Sequence, residues 1–309
     1  MKKMLKKSFA LVLAIVCVLN IASVIASAAA PSSGDLGKNL KWSVSSKGVL
    51  TIKGKGEMTD FGVADARPWD DHRDEIVKVV VEDGVTSVSE KAFSHLGELK
   101  EVELPKSLIF VGCDIFYGSL YDGQVKADKY GVRYEDGVIL NSTTEIKGTY
   151  EIAKDTRVIA DYAFNGQSEL KQVKMPEGLI TIGVEAFKDC RSIESVIIPE
   201  SVTSIGYQAF ANCENLNEVC YAGTLAQWNK IKIHVSNDEW LREVKIYCKG
   251  DINRDGKTNS SDALMALQHS VGTIELKSEQ IVLADVHADS KINSSDALEI
   301  LKISVGSTK

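Results

Sequence analysis

The residues best suited to chemistry lie near the C-terminus, in the twelve-residue segment DINRDGKTNSSD that begins at Asp251. Oxygen-bearing side chains recur at positions 1, 3, 5, 9 and 12 of this segment, and Gly256 stands at position 6. A hard divalent cation takes six to eight oxygen ligands, and this spacing lets one tight loop supply them. The predicted calcium ligands are Asp251, Asn253, Asp255, the backbone carbonyl of Lys257, Asn259 and Asp262.

The same unit returns 34 residues later as DVHADSKINSSD. Its predicted ligands are Asp285, His287, Asp289, Lys291 through its carbonyl, Asn293 and Asp296. Two residues differ from the first loop. His287 replaces an oxygen ligand, and imidazole suits transition metals better than calcium. Ser290 replaces the glycine of the sharp turn, where a positive backbone angle costs a non-glycine residue roughly 1 kcal/mol. We therefore expect two calcium ions, with the second site weaker.

Matched segments, DALMALQHSVG and DALEILKISVG, follow the two loops and have the apolar spacing of amphipathic helices. We expect the two helices to pack against each other through their shared apolar positions, with a short helix between the units near Ser278 to Ala284. Those positions are Ala263, Leu264, Leu267 and Val271 in the first helix, and Ala297, Leu298, Leu301 and Val305 in the second.

Two calcium loops, each followed by one helix, resemble an EF-hand-like type I dockerin. The resemblance implies binding to a cohesin domain of a scaffoldin, mainly in secreted cellulosome-like complexes that degrade plant polysaccharides. It also implies that partner choice lies partly at loop positions 10 and 11, which are Ser260 and Ser261 in one copy and Ser294 and Ser295 in the other. Because both copies present the same pair, we expect two binding orientations related by about a half turn.

The region before these loops repeats a different phrase five times. The copies are VTSVSEKAF, LIFVGCDIF, TRVIADYAF, LITIGVEAF and VTSIGYQAF, ending at Phe93, Phe116, Phe164, Phe187 and Phe210. Neighbouring copies are 23 residues apart, except for one gap of 48 residues that holds a small insertion. Prolines follow alternating apolar pairs at Pro105, Pro176 and Pro199, which predicts short strands that end there. Each period is therefore one coil of a solenoid whose stacked coils share a core.

These coils resemble the BspA-like bacterial leucine-rich repeats, in which a unit reads Ile-Gly-x-x-Ala-Phe-x-x-Cys-x-x-Leu-x-x-Val-x-Ile-Pro. The best copy runs from Ile182 to Pro199. Ser89 and Ala160 replace the glycine, and Leu96 and Gln167 replace the cysteine. Solenoid ends must be covered. A hairpin in LKWSVSSKGVLTIKG is the predicted front cap, and a short helix bearing Trp228 with two strands is the predicted rear cap.

Two other groups of residues invite catalytic readings. Asp70, Asp71, His72, Asp74 and Glu75 cluster in sequence, but charged residues that begin a short helix before a strand explain them more simply. Cys113 lies outside the regular repeat position of the cysteines, and His95 is out of register with it. A Cys/His nucleophile pair therefore has no support.

The N-terminus has the pattern of an export signal. Four lysines precede an uncharged apolar run, and Ala26, Ser27 and Ala28 end it. Cleavage after Ala28 would take the formal charge from -7 to -11. An acidic chain without a basic cluster outside its signal is a poor ligand for nucleic acid or an anionic membrane. Five cysteines remain after the signal, an odd number that excludes a complete disulfide framework, although a bridge from Cys220 to Cys248 stays open.

The predicted organisation is a signal peptide over residues 1–28, a mainly β leucine-rich-repeat solenoid with caps over 34–249, and a small all-α calcium-binding dockerin over 250–309. Only Lys249 and Gly250 separate the last two, which predicts a restricted hinge. We expect a secreted, non-catalytic protein that attaches to a cohesin-bearing scaffold and offers the repeat surface to an unidentified protein or glycan. The alternatives are a hydrolase or protease inhibitor of the same complex and a cell-surface adhesin.

Overall fold

The computed structural model describes residues 32–61, 66–237 and 244–306. The predicted export signal lies outside these ranges. The described residues between 33 and 248 form a β solenoid of about seven turns, and three helices follow it. The strands are β1 Ser33–Asp35, β2 Leu40–Val44, β3 Val49–Gly54, β4 Lys78–Val81, β5 Ser87–Val88, β6 Glu101–Glu103, β7 Phe110–Val111, β8 Val132–Glu135, β9 Val138–Ser142, β10 Gly148–Glu151, β11 Val158–Ile159, β12 Leu170–Lys174, β13 Thr181–Ile182, β14 Ser195–Ile198, β15 Ser204–Ile205, β16 Glu218–Tyr221, β17 Lys232–Ile233 and β18 Lys245–Cys248.

The helices are α1 Leu225–Trp228, α2 Ser260–Ser270, α3 Ser278–Ala284 and α4 Ser294–Ser304, with short 3-10 turns at Asp70–His72 and Val235–Asn237. No helix in the described part of the chain has the length and apolar character needed to cross a bilayer.

After the insertion, each coil contributes one strand to each of two stacks of parallel strands, whereas in the front coils β4 pairs with β6 and β5 with β7 in separate sheets. One stack contains β10, β12, β14, β16 and β18, and the other contains β9, β11, β13, β15 and β17. At the front, β2 and β3 form the antiparallel hairpin that the sequence predicted, and β3 then pairs in parallel with β4 of the first coil. At the rear, α1, β17 and β18 close the array, which confirms the predicted rear cap.

The repeated phenylalanines form the column of rings that the repeat predicted. Phe164, Phe187 and Phe210 are fully buried and stack nearly parallel, with ring centroids 5.0 and 5.2 Å apart. In the gap before Phe164, the chain forms a β8–β9 hairpin instead of a regular coil, and Tyr150 packs against the ring of Phe164 at 5.7 Å. The insertion therefore keeps the aromatic column continuous on its C-terminal side.

A third ladder joins the coils at the phenylalanine turn. The residues two before and two after each phenylalanine have positive φ, for example 50° at Glu185 and 60° at Asp189. Their amides, and that of Phe187 between them, donate to carbonyls of the next coil at 2.8 to 2.9 Å. Residues in left-handed conformation thus turn alternate N–H groups toward the neighbouring coil, so that the coils of Phe93, Phe164 and Phe187 have a third line of hydrogen bonds to the next coil.

The glycine of the repeat is required by close approach between coils. A Cβ on Gly206 would lie 2.6 Å from the backbone carbon of Gly183, and one on Gly183 would lie 2.7 Å from that of Ala160. Ala160 and Ser89, which replace this glycine, follow the insertion and the front cap, where the preceding chain is not a regular coil. Ser89 instead donates its hydroxyl to the carbonyl of Thr59 at 2.7 Å.

Candidate calcium loops and docking surface

The first predicted calcium loop is folded around its own carboxylates. Asp251 accepts hydrogen bonds from the amides of Asp255 at 3.1 Å and Gly256 at 2.9 Å. Asp262 accepts from the amides of Asn253 at 3.0 Å and Asn259 at 2.9 Å. The loop therefore turns back on itself and brings both of its ends to one place, as the spacing required.

Two of the predicted ligands also begin helix α2. Asn259 is the N-cap and accepts from the amide of Ser261 at 2.8 Å, while Asp262 completes a capping box by accepting from the amide of Asn259. Asn293 and Asp296 do the same for α4. Capping residues satisfy the unpaired amides of the first turn. The loop and its helix therefore share residues, and a change in loop geometry would alter the capping of the helix.

The electrostatics of the first loop favour a bound cation. Asp251 and Asp262 are buried, and burial raises the pKa of both carboxyl groups; that of Asp251 is raised to about 6, with the neighbouring Asp262 and Asp255 charges adding to the effect of burial. Within the described residues neither carboxylate has a Lys, Arg or His partner. A divalent ion would neutralise this repulsion, so the residues present fit calcium.

Within the described ranges, no three His, Cys, Asp or Glu side chains form a cluster able to hold a metal. The first loop would instead form a site with amide and backbone oxygens as well as carboxylates. Asn253, Asn259 and the carbonyl of Lys257 would complete the oxygen ligands around the two buried carboxylates. Asn253 already accepts from the amide of Asp255 at 2.9 Å, and Asp255 accepts from that of Lys257 at 2.9 Å.

The second loop repeats the backbone of the first but not its environment. Asp285 accepts from the amides of Asp289 at 3.1 Å and Ser290 at 2.8 Å, as Asp251 does in the first loop. His287, however, lies 3.1 Å through its Nδ1 from the buried Asp296. Ser290 has the positive φ expected at this turn, 62°. The predicted ligand Asp296 is thus in contact with His287. The turn contains Ser290 in a positive-φ conformation that a non-glycine residue disfavours.

The helices do not pack through all the residues that the sequence predicted. Ala263 and Ala297 are buried, and they meet other buried residues of a small core; the further members are Ile252, Ala266, Leu276, Ala284 and Ile300. The prediction was wrong for six residues, which are exposed by similar fractions in the two helices: Leu264 54%, Leu267 40% and Val271 75%, and Leu298 55%, Leu301 40% and Val305 72%. Alanines let the two helices approach closely, which leaves the larger side chains outside.

These exposed side chains form a surface that we call the twin apolar face, defined by Leu264, Leu267, Val271, Leu298, Leu301 and Val305. The four predicted partner-binding serines, Ser260, Ser261, Ser294 and Ser295, are exposed at the N-terminal ends of the same two helices. The three residues of each helix follow the spacing of one helical face, and exposed apolar patches of this kind are typical of binding surfaces.

A second surface of interest is a groove of about 620 Å³ on the repeat body. Its lining includes hydroxyl-bearing residues in or beside short strands, such as Thr86, Thr203 and Ser204, together with Glu90 and Asp161. Asp161 accepts from the amide of Val184 at 2.6 Å, and burial, opposed by this bond and aided by the charge of Glu90, raises its pKa to about 7. Nothing in the sequence distinguishes this buried carboxyl group, because aspartate is common in turns.

The remaining candidates have structural roles. Asp70 is bound by Arg67, whose guanidinium also donates to the carbonyl of Lys91 at 2.9 Å, and this joins the front cap to the first coil. Burial raises the pKa of the Cys113 thiol to about 12, the opposite of nucleophile activation. All five cysteines among the described residues are free. Cys220 and Cys248 belong to different apolar clusters, so the bridge left open by the sequence is not formed.

Family models match the chain in two parts. The BspA type leucine rich repeat region matches in six copies over residues 72–124 and 142–249, which is more than half of the chain. The dockerin type I domain matches residues 249–303. No significant match was found among curated protein sequences.

Several solved structures are similar to the chain. A leucine-rich repeat protein from Eubacterium ventriosum is 18% identical with a TM-score of 0.30, and the match covers 62% of this chain and 72% of that one. A leucine rich cell surface protein from Faecalibacterium prausnitzii is 14% identical with a TM-score of 0.29, covering 65% and 98%. The T. pallidum leucine rich repeat protein is 16% identical with a TM-score of 0.25, covering 70% and 98%.

Proposed function

Because the chain belongs to the BspA-type leucine-rich-repeat family and ends in a type I dockerin domain, we propose that it is a non-catalytic component of a secreted, cellulosome-like assembly that degrades polysaccharides. The dockerin attaches it to a cohesin domain of a scaffoldin, and the repeat body presents a surface to a protein or glycan. In this proposal the body spans residues 34–249, the dockerin spans 250–309, and residues 1–28 direct export.

The observation that carries the docking role is the twin apolar face. Leu264 and Leu298 are exposed to nearly the same extent, 54% and 55%, and stand at matching positions of the two helices. Exposed leucines and valines beside paired serines provide an apolar centre with a polar rim, as protein interfaces do. Since the two halves match, the same cohesin surface can engage either helix, which supports two orientations related by about a half turn.

Calcium is the ion that we propose for both loops. The first loop would hold it through Asp251, Asn253, Asp255, Lys257 carbonyl, Asn259 and Asp262, and the second through the corresponding residues from Asp285 to Asp296. The buried, mutually repelling carboxylates of the first loop support a tight site. The contact between His287 and Asp296 supports a weaker second one. Calorimetry of Asp251→Ala and Asp285→Ala should therefore leave, respectively, the weaker and the tighter binding event.

The docking role is tested by pulling cohesin-bearing proteins from the secreted fraction of the source with the full chain, in calcium and in excess chelator. Capture should require calcium and should be lost in the Asp251→Ala/Asp262→Ala variant. Asp83→Ala is the matched control, since Asp83 is an exposed acidic residue of the repeat body. Capture that persists in chelator, or in the double variant, would refute the docking proposal.

The two orientations are tested on the paired serines with a purified cohesin. Replacing Ser260 and Ser261 by Asp should leave binding through the second helix, and replacing Ser294 and Ser295 should leave binding through the first. Replacing all four should abolish binding. Complete loss from either pair alone would contradict the two orientations while leaving calcium-dependent docking intact.

The repeat groove supports recognition because hydroxyl and carboxylate side chains line its strand face. Incubating the purified protein with plant and starch polysaccharides separates binding from catalysis. We expect retention of a ligand without release of sugars, whereas sustained sugar release would favour the hydrolase alternative.

A further inference from the structure

The dockerin is packed directly against the last coils of the repeat body. Leu283 of α3 is fully buried among Cys220 and Tyr247, which lie on β16 and β18. The amide of Gly250 donates to the carbonyl of Leu283 at 2.8 Å, and Lys249 binds Glu200 of the body at 2.9 Å. The two modules therefore share a small core of their own at the junction.

One residue of the first calcium loop reaches across this junction. Arg254, at loop position 4 between two predicted ligands, forms an ion pair with Glu218 at the start of β16. Its guanidinium also lies over the ring of Tyr247, 5.8 Å from the centroid. The backbone of Arg254 has a φ of 59°, a conformation that costs energy in a non-glycine residue. The ion pair and the ring contact help to hold it there.

The second loop has no side chain at the corresponding position that could make these contacts. Its position 4 is Ala288, which adopts nearly the same backbone conformation, with a φ of 53°. The first ligand of that loop, Asp285, is only half-buried, whereas Asp251 is 3% exposed. The two loops have nearly the same backbone but different surroundings. The repeat body therefore provides packing contacts and a negatively charged partner, Glu218, to the first loop only.

We infer that the last coils of the repeat body are a structural part of the first calcium site, with Arg254 and Glu218 as positioning residues, so that calcium binding there and packing of the dockerin on the solenoid stabilise each other. The inference rests on the proposed binding of calcium by this loop. The coupling is reciprocal, because an ion that favours the packed junction is itself favoured by it.

The charges make the roles of the two residues distinguishable. Arg254 is a cation beside a site for a cation, so an unpaired arginine would oppose calcium binding. Glu218 neutralises the guanidinium and holds it against Tyr247. Loss of Glu218 should therefore harm the site more while Arg254 is present than after Arg254 has been removed.

Calcium calorimetry on the full chain tests this, in an Asp285→Ala background where only the first loop titrates and again with both loops intact. Glu218→Gln should weaken the first site about fivefold or more. Glu169→Gln, which breaks an exposed ion pair with Lys147 elsewhere on the body, is the control and should bind as the parent does. In an Arg254→Ala background, Glu218→Gln should have a much smaller effect.

Amide exchange gives a second readout. Calcium should slow exchange in Glu218–Tyr221 and Lys245–Cys248 of the parent and should do so less in Glu218→Gln. Equal calcium affinity in Glu218→Gln and parent would overturn the inference and leave the calcium proposal standing. An equal loss with and without Arg254 would also overturn it, because Glu218 would then act independently of the guanidinium. Tighter binding in Arg254→Ala than in the parent would overturn it too, because Arg254 would then act only as a nearby charge. Absence of any calcium binding would refute both.

Discussion

The repeat body and the dockerin both consist of repeated units, but they bury different kinds of side chain. The body stacks large rings, so that Phe187 alone meets the phenylalanines of two neighbouring coils at 5.0 and 5.2 Å. The core of the dockerin consists largely of alanines, and the same module buries the carboxylates of Asp251 and Asp262. The body is held together by apolar contacts, whereas we propose that the dockerin needs a bound cation to compensate its buried carboxylates.

The difference shows what each kind of repeat is for. In the body, each added coil extends a core and a groove, and stability is distributed over nearest neighbours. In the dockerin, two copies are enough, because their larger side chains remain outside on the twin apolar face. We propose that this small core folds only when calcium is bound, and that the leucines it leaves exposed contact a partner.

Removing calcium should have the largest effect and should divide the two regions. In excess chelator the carboxylates of Asp251, Asp255 and Asp262 repel one another without compensation, and we expect α2 and α4 to unfold while the solenoid strands persist. Amide exchange should become fast throughout residues 260–304 and stay slow in the strands from β10 to β14. Helical circular dichroism should fall in parallel and return when calcium is restored.

A dockerin that keeps its protection in chelator would break the comparison, because its core would then suffice without an ion. Loss of amide protection throughout the body in chelator would also contradict the comparison, because the body would then depend on the ion as well. The strands β16 and β18 are informative here, since the junction predicts a partial response at them and at no other strand.

Creating a cavity in the core of the repeat body should have the second largest effect. Phe187→Ala removes a fully buried ring from the middle of the column, and we expect a loss of about 3–5 kcal/mol in the free energy of unfolding of the body. Urea denaturation in saturating calcium measures it. Calcium affinity of the second loop should be unchanged, because that loop is remote from Phe187.

Tyr117→Ala is the control for this change, since Tyr117 belongs to the repeat but its side chain is 56% exposed. It should cost far less than Phe187→Ala. Similar losses for the two variants would show that burial in the ring column is not what stabilises the body.

The sequence predicted those features that recur with a period. The strands followed from alternation before each proline, and the phenylalanine core followed from the 23-residue spacing. It did not predict the positive φ at Glu185 and Asp189, because these residues are common in many conformations and only the stacked coils select this one. The β8–β9 hairpin was likewise missed, since an insertion has no second copy to reveal it.

The site shows the same limit. The loop spacing predicted which oxygens would be brought together, but the helical period said only that Leu264 and Leu267 share a face, not that the face would be left uncovered. The junction was visible only as a short linker. The sequence did not single out Arg254, because its partner Glu218 is 36 residues away and belongs to another module.

The smallest expected effect sharpens the comparison, because it concerns a buried carboxyl group in the body. Asp161 is 8% exposed with a pKa raised to about 7, chiefly by burial. Native Asp161 therefore keeps its proton between about pH 4 and 7, where the unfolded chain releases it, so its contribution to stability falls as pH rises through that range and is constant above it.

Asp161→Asn removes this titration and can still accept from the amide of Val184. At pH 8 we expect the variant to melt about 2–4 °C above the parent, with the difference shrinking toward pH 5. Thermal unfolding in saturating calcium measures both, and Asp83→Asn, at an exposed site, should show neither shift. A variant that melts below the parent at both pH values would mean that the carboxylate is stabilising when charged. The expected result would instead show that the body buries an acid by retaining its proton, whereas we propose that the dockerin compensates its buried acids with a metal ion.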